Sequence, residues 1–298
     1  MSLTHEDEVS VSVIIPSYNP GRTILPCVES VRSQDVKETC EVIVADSSTD
    51  DTPRLLANIP GVRTIHWDQR LFPGSARNLG AEHARGTILA FIDADCTASP
   101  RWLRAILESH TRGYPAVGGS IANGTPESVV GSAEYFLEFG EFSPSRPSGP
   151  VRFAPTCNFS VDRGIFEHSG GFPDLQASED VLFGLRLKEM GVAVRFEPEA
   201  LVFHRCRTAL RPFLRNQRSL GRGAAAARRR ATLPGAFVVR FPVLVPLLPV
   251  LRLYRIIRRL LQREPKNLIP FLLVVPVAVM GLSAWSWGFF RESVHPNR

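Results

Sequence analysis

The sequence predicts an α/β fold with a mostly parallel central sheet, followed by a C-terminal basic amphipathic helix and a transmembrane helix. Three observations carry that prediction. Between residues 9 and 112, β-branched runs alternate with stretches of helical spacing as β-α-β-α-β-α-β-α, the pattern of a parallel sheet covered on both faces. Polar loops at 16–21, 46–52 and 93–97 follow strand ends on one sheet edge, where open α/β sheets place their ligands. After residue 205 arginines accumulate, and 268–290 then carries no charged residue.

In chain order, Val9–Pro16 reads as the first strand and breaks at the turn cluster Pro16–Gly21. Ile24, Leu25, Val28 and Val31 follow helical spacing. Glu41–Ala45 is a buried strand ending in a polar loop, with Thr52 placed to cap a short helix through Ala57. Val62–His66 is a weaker strand. Gly74-Ser75 opens a helix that Arg85-Gly86 closes, glycine being favoured just past a helix end. Ile88–Ile92 is an apolar strand, and Ser99-Pro100 offers an N-cap and a first-turn proline to the next helix.

Residues 113–210 read as a second half. Ala116–Ile121 predicts a strand, Val129–Phe142 a helix, Ser143–Pro155 a proline-rich loop suited to a lid, and Cys157–Val161 a short strand. Gly170–Pro173 is a turn. Ser178 is placed to cap a helix with Glu179 and Asp180 in its first turn and Gly191 as its stop. Val192–Phe196 and Ala200–Phe203 predict short strands ending at His204.

Residues 211–298 predict a membrane-association region. Residues 211–230 are basic and helical. Ala236–Leu251 is apolar but short and holds Arg240, which suits an interfacial or re-entrant segment, with a second span as the alternative. Leu251–Leu261 is a basic amphipathic helix suited to an anionic bilayer surface. Residues 268–290, bounded by Lys266 and Arg291, are long enough to span. A core helix of a soluble domain is the competing reading.

Composition limits the classes. The chain has 298 residues and a formal net charge of +6. Between 205 and 266 the only acid is Glu264, so a phosphate-rich partner is expected there. Hardly an aromatic interrupts the arginines of 205–230, which favours lipid headgroups over nucleic acid. The five cysteines form no C-x-x-C, which excludes a disulfide framework and a zinc ribbon and suits a reducing compartment. Residues 1–8 read as a polar tail without a signal peptide.

The chemistry centres on Asp93 and Asp95. On an extended backbone, residues two apart point to one side. Two carboxylates at a strand end can hold a divalent cation, which also takes phosphate oxygens. An Asp-rich turn is the alternative. Glu179 and Asp180 have two readings as well: acids favoured by the helix dipole, or a carboxylate kept ionised as a general base.

Taken together, VSVIIPSYNP, EVIVADSSTDDT, GSARNLGAEHARGTILAFIDADC, GGFPDL, SEDVLFGLRLKEMG and PEALVFH resemble, in order and spacing from about residue 9 to 204, the family 2 glycosyltransferases of the GT-A (nucleotide-diphospho-sugar transferase) fold. The loop of the second stretch is one residue shorter than usual, which leaves Ser47 and Ser48 unassigned. The resemblance implies transfer of a sugar from a nucleotide diphosphate donor, a UDP-sugar being expected, with inversion and with Mg²⁺ or Mn²⁺. It divides the domain into a nucleotide-sugar half, 9–112, and an acceptor half, 113–210. By position, Pro16, Tyr18 and Asn19 would lie against the nucleoside, Asp46 would contact the base and Arg77 would sit near the nucleotide. Asp93 would face ribose or metal, Asp95 would ligate the metal, and His204 would add a ligand. Asp180, in the Glu179-Asp180 pair, would be the general base. An Asx-turn role for Asp46, a solvated Arg77 and a structural His204 are the competing readings.

The expected function is therefore an inverting, metal-dependent glycosyltransferase of cell-envelope polysaccharide synthesis. It would act at the cytosolic face of the inner membrane on a lipid-linked or surface-glycan acceptor. A sugar-phosphate nucleotidyltransferase is the enzymatic alternative, but SYNPGR lacks the lysine of a triphosphate-cradling loop. A non-catalytic basic membrane adaptor is the other.

Overall fold

The computed structural model describes residues 9–57 and 59–296, with Arg22 described by its backbone alone. The expected 1–8 tail lies outside the described residues.

The first half follows the expected alternation: β1 (Val11–Ser17), α1 (Ile24–Arg32), β2 (Cys40–Asp46), α2 (Thr52–Leu56), β3 (Val62–His66), α3 (Pro73–Glu82) and β4 (Ile88–Ile92). Their β-branched runs are buried on both faces, as a covered parallel sheet requires. Then come β5 (Cys96–Ala98), α4 (Trp102–Thr111), β6 (Ala116–Asn123), α5 (Val129–Glu138), β7 (Gly149–Val151), β8 (Asn158–Asp162), α6 (Arg163–Ser169), α7 (Glu179–Glu189) and β9 (Val194–His204). The sheet order is β3-β2-β1-β4-β8-β6-β9-β5, with β7 on β9. Strands β3, β2, β1 and β4 are parallel, and β8, β7 and β5 pair antiparallel, so the sheet is parallel in its first half and mixed in its second.

Several local expectations change. Thr52 does not cap α2; its backbone N–H is itself bound by Asp50 Oδ1 at 3.0 Å. Helix α3 ends at Glu82, before Gly86. Gly86 instead lies against β1, where an added Cβ would sit 2.5 Å from the Ser12 nitrogen. Helix α4 starts at Trp102 with Arg101 as its N-cap, so Ser99 does not cap it; the Ser99 carbonyl instead closes a turn by accepting from Trp102 N at 3.0 Å. Ser178 precedes α7 in the left-handed region, φ 70°, without a side-chain cap. The proline-rich 143–155 segment is pinned in part by β7, and the two expected strands 192–196 and 200–203 are one strand, β9.

The C-terminal part comprises α8 (Leu210–Arg230), α9 (Phe237–Arg240), a 3₁₀ stretch over Pro242–Leu247, α10 (Leu248–Arg263) and α11 (Leu268–Val294). Phe271, Val274, Ala278 and Leu282 on one face of α11 join the same apolar core as the sheet. Phe271 meets Phe136 of α5 edge-on at 5.2 Å.

Candidate active site

Parallel register puts the ends of the first strands side by side. Ser17 at the end of β1 pairs with Asp46 at the end of β2, and Asp46 pairs with His66 at the end of β3. Asp46 is fully buried. Its Oδ1 accepts from Ser17 Oγ at 2.7 Å and Ser48 Oγ at 2.6 Å, and its Oδ2 lies 2.7 Å from His66 Nδ1. Asp46 therefore ties three strand ends together. His66 was not singled out from the sequence, although its place at a strand end on this edge is the signal.

Asn19 holds the neighbouring loop. Its backbone is left-handed, φ 49°, which asparagine tolerates better than most residues. Its Oδ1 accepts from Thr49 N at 2.8 Å and Asp50 N at 3.2 Å, and Ser48 Oγ accepts from its backbone N–H at 2.8 Å. Ser48 thus joins both groups. Pro16 is half-buried in β1. Tyr18 is exposed, with the Arg70 guanidinium 4.5 Å above its ring.

Asp93 and Asp95 do not share one side of an extended strand. Strand β4 stops at Ile92, and Cys96 N donates to Asp93 O at 2.9 Å, closing a turn. The turn sends the two carboxylates to different partners. Asp93 takes the Arg77 Nη2 ion pair. Asp95 Oδ1 lies 3.5 Å from His204 Nε2. Antiparallel pairing of β5 with β9 sets Cys96 opposite His204, so the fold itself delivers the histidine.

Arg77 is the buried hinge of the site, 1% exposed. Besides Asp93 it donates from Nη1 to Glu179 Oε1 at 3.0 Å. The two carboxylates together outweigh burial and raise its pKa further above the ordinary guanidinium value. The reading of Arg77 as a solvated helix residue is therefore set aside.

Glu179 is committed to Arg77, whereas Asp180 Oδ1 accepts from the Val181 N–H at 2.8 Å at the start of its own helix. Burial, and then the adjacent Glu179 charge, push the Asp180 carboxyl up to about 7. The two neighbouring acids thus differ: one holds the arginine, and the other has a carboxyl raised by burial and by its neighbour's charge.

His204 is buried against Phe139, ring centroids 4.3 Å apart. Its Nδ1 lies 3.6 Å from Cys206 Sγ. The chain beyond it is anchored by Arg207, whose backbone N–H donates to Glu134 Oε2 at 2.9 Å and whose guanidinium pairs with the same carboxylate.

The donor set fits a divalent cation. Asp95 Oδ1 is buried without a hydrogen-bond partner. One ligand atom each from Asp95, Cys96 and His204 lie within 4.8 Å of one another. A carboxylate with an imidazole suits Mn²⁺ and related ions. Asp93, with one oxygen on Arg77, stands beside this cluster rather than in it.

Comparison with known proteins identifies the family and the fold. Residues 12–170 match the family described as Glycosyl transferase family 2. Glycosyltransferase AglE of Haloferax volcanii is 29% identical over 252 residues, 80% of this chain and 81% of that protein. Succinoglycan biosynthesis protein ExoO of Rhizobium meliloti is 40% identical over 168 residues, 53% of this chain and 47% of that protein. Among solved structures, the mannosyltransferase PcManGT of Pyrobaculum calidifontis, in complex with GDP-Man and Mn²⁺, superposes with a TM-score of 0.64 at 20% identity. That superposition covers 97% of this chain and 88% of the other, and its fold is the GT-A fold. With the matched segment spanning the strand-end loops and the aspartate turn, this chain belongs to glycosyl transferase family 2 and is a glycosyltransferase.

Proposed function

We propose that the chain moves a sugar from a nucleoside diphosphate donor to a hydroxyl of a lipid-linked or surface-glycan acceptor, with inversion at the anomeric carbon, at the cytosolic face of a membrane. The single observation that carries this reading is the split between Glu179 and Asp180. Glu179 neutralises Arg77, while Asp180 retains a carboxyl raised to about 7 and bound to its own helix start.

Asp180 would accept the proton of the acceptor hydroxyl. The hydroxyl oxygen then forms its bond to the anomeric carbon as the bond to the diphosphate oxygen breaks, and attack opposite the leaving group inverts the centre. Asp95 and His204 would hold the divalent cation, with Asp93 beside them, and the bound ion would supply positive charge against the departing diphosphate. Pro16, Tyr18 and Asn19 would line the nucleoside. Asp46 would act mainly by fixing the loops that receive the base, since both its oxygens are already engaged. Residues 9–112 would form the donor half and 113–210 the acceptor half.

Support for the donor class comes from the solved mannosyltransferase, which binds GDP-Man and Mn²⁺; support for an envelope-glycan acceptor comes from ExoO, named for succinoglycan biosynthesis. The test is a thermal-shift screen of UDP- and GDP-sugars with Mn²⁺, followed by product analysis by NMR. A melting-point rise with one donor class and an inverted anomeric product are expected. A retained configuration would exclude direct displacement assisted by Asp180.

A further inference from the structure

Helix α11 is long and apolar enough to cross a bilayer: 27 residues give about 40 Å, against a hydrocarbon core of about 30 Å. Its packing is that of a different kind of membrane helix. One face is committed to α5 and α8 along the whole length. Near the start, Phe271 meets Phe136 of α5. In the middle, Gly281 faces Phe213 of α8 and Leu137 of α5 so closely that an added Cβ would lie 2.4 Å and 2.9 Å from them. At the end, Arg229 Nη2 donates to the carbonyls of Glu292 and Ser293, both at 2.6 Å.

The opposite face is just as apolar and is open. Ile269, Leu272, Leu273, Val279, Met280 and Trp287 recur at helical spacing along it and are all exposed, Leu273 at 75%. The stripe is extended by the neighbouring 3₁₀ stretch and α10, where Val243 is 81% exposed and Val250, Tyr254 and Leu261 are bare. Arg255, Arg258 and Arg263 are exposed on α10, and Lys266 is exposed just before α11. Exposed apolar area on this scale needs a cover.

We infer that α10 and α11 dock the protein on one leaflet of an anionic bilayer, with α11 lying in the plane of the interface and not crossing it. The inference rests on the membrane partner in the proposed function and specifies its geometry. A crossing helix would have to leave α5 and α8, or draw arginine-bearing α8 into hydrocarbon at high cost. Lying flat, α11 keeps its inner face on the core and gives its outer face to acyl chains, while the arginines of α10 meet lipid phosphates. The acceptor's lipid would then be presented from the same leaflet that carries the enzyme.

The test uses the full chain carrying Lys266→Cys or His295→Cys, at the two ends of α11, in a Cys40→Ser background; the other cysteines are buried. Sealed membrane vesicles from expressing cells, prepared in both orientations, are treated with a membrane-impermeant maleimide. The in-plane arrangement requires both positions to label from the side that exposes the catalytic domain. Labelling from opposite sides establishes a span and overturns the inference. In flotation with preformed vesicles, binding to phosphatidylglycerol-containing vesicles should exceed binding to pure phosphatidylcholine. The double variant Val243→Glu/Leu273→Glu should weaken binding by about tenfold or more, as expected for removing two large apolar contacts. Unchanged flotation refutes the surface, as does a stable dimer that ignores vesicles, which would mean that a second copy covers the patch. Nucleotide-sugar binding by the same double variant, expected unchanged, reads the catalytic assignment separately.

Discussion

Arg77 donates to Glu179 across 3.0 Å, joining residues 102 positions apart in the chain. With its other terminal nitrogen on Asp93, the guanidinium ties the aspartate turn to the start of α7. The buried side chain gains stability from two partners and would leave both uncompensated if removed. Arg77→Met is therefore expected to cost about 3–5 kcal/mol, the usual range for breaking a buried ion pair from one side. Arg77→Lys keeps the charge but not the fork that reaches both carboxylates. It should fold and yet lose activity, a combination checked by urea melts and turnover on the same preparations. If both variants melt as wild type does, Arg77 does not hold the two halves together.

Asp180→Asn should lower kcat by at least a hundredfold, the contribution of a positioned base, and leave nucleotide-sugar affinity within about twofold. Because the Asp180 carboxyl titrates near 7, turnover by the wild type should climb as pH rises through that value. The same shift has the opposite sign for stability. A carboxyl raised in the fold contributes stability fully present below its unfolded value of about 4 and lost as pH rises through about 7. Activity and stability should therefore run against each other between pH 5 and 8, and a flat rate profile there would exclude Asp180 as the base.

Asp95→Ala and His204→Ala should each weaken the Mn²⁺-dependent part of nucleotide binding by tenfold or more, in line with losing a ligand from a small site. Isothermal titration of the diphosphate nucleotide with and without Mn²⁺ reads this directly. An unaltered metal dependence would remove the residue from the ligand set. Asp93→Asn should behave differently, since its first partner is Arg77: the expected loss is in stability and donor positioning together.

The contrast between these aspartates marks where the sequence was readable. The alternation of strands and helices to residue 112 follows from local periodicity, and the structure follows it closely. The convergence of Ser17, Asp46 and His66 follows from parallel register once those strands exist. What periodicity does not carry is direction after a strand ends. Asp93 and Asp95 look equivalent in D-A-D, and only the turn closed by Cys96 N separates them. The same holds for Gly86, whose spacing suggests a helix stop and whose actual role is close approach to β1. The Arg77–Glu179 pair has no local signal, because it depends on how two halves of a chain pack.

A second, half-buried carboxylate supplies an independent pH test. Glu138 of α5 accepts from Asn216 Nδ2 at 2.8 Å and Gln217 Nε2 at 2.5 Å, linking α5 to α8. Burial, and then the nearby Glu134, push its carboxyl up to about 8. The neutral form is thus the one the fold favours, and the stability it brings is lost as pH rises through about 8. Glu138→Gln preserves an oxygen acceptor and removes the titration. It should melt like wild type near pH 4 and at a progressively higher temperature than wild type as the pH rises towards 9. Parallel curves for the two proteins would show that Glu138 is already ionised in the fold.

The seam between α8 and α11 can be tested by adding single atoms. An added Cβ at Gly288 would lie 2.0 Å from the Arg218 carbonyl oxygen, and one at Gly221 would lie 1.9 Å from the Trp285 carbonyl oxygen. The obstacle in each case is backbone, which cannot swing aside as a long side chain can, so the helices must separate. Gly288→Ala and Gly221→Ala are each expected to cost about 1–3 kcal/mol, the range for overpacking a tight contact, despite alanine's better helix propensity. Met280→Ala, on the exposed face of α11, should stay within about 0.5 kcal/mol of wild type. Thermal melts and limited proteolysis across 231–267 distinguish the two faces: the glycine variants should be nicked faster and the Met280 variant should not. Equal behaviour of all three would mean that α11 is not held along α8, and its inner face would then be as free as its outer one.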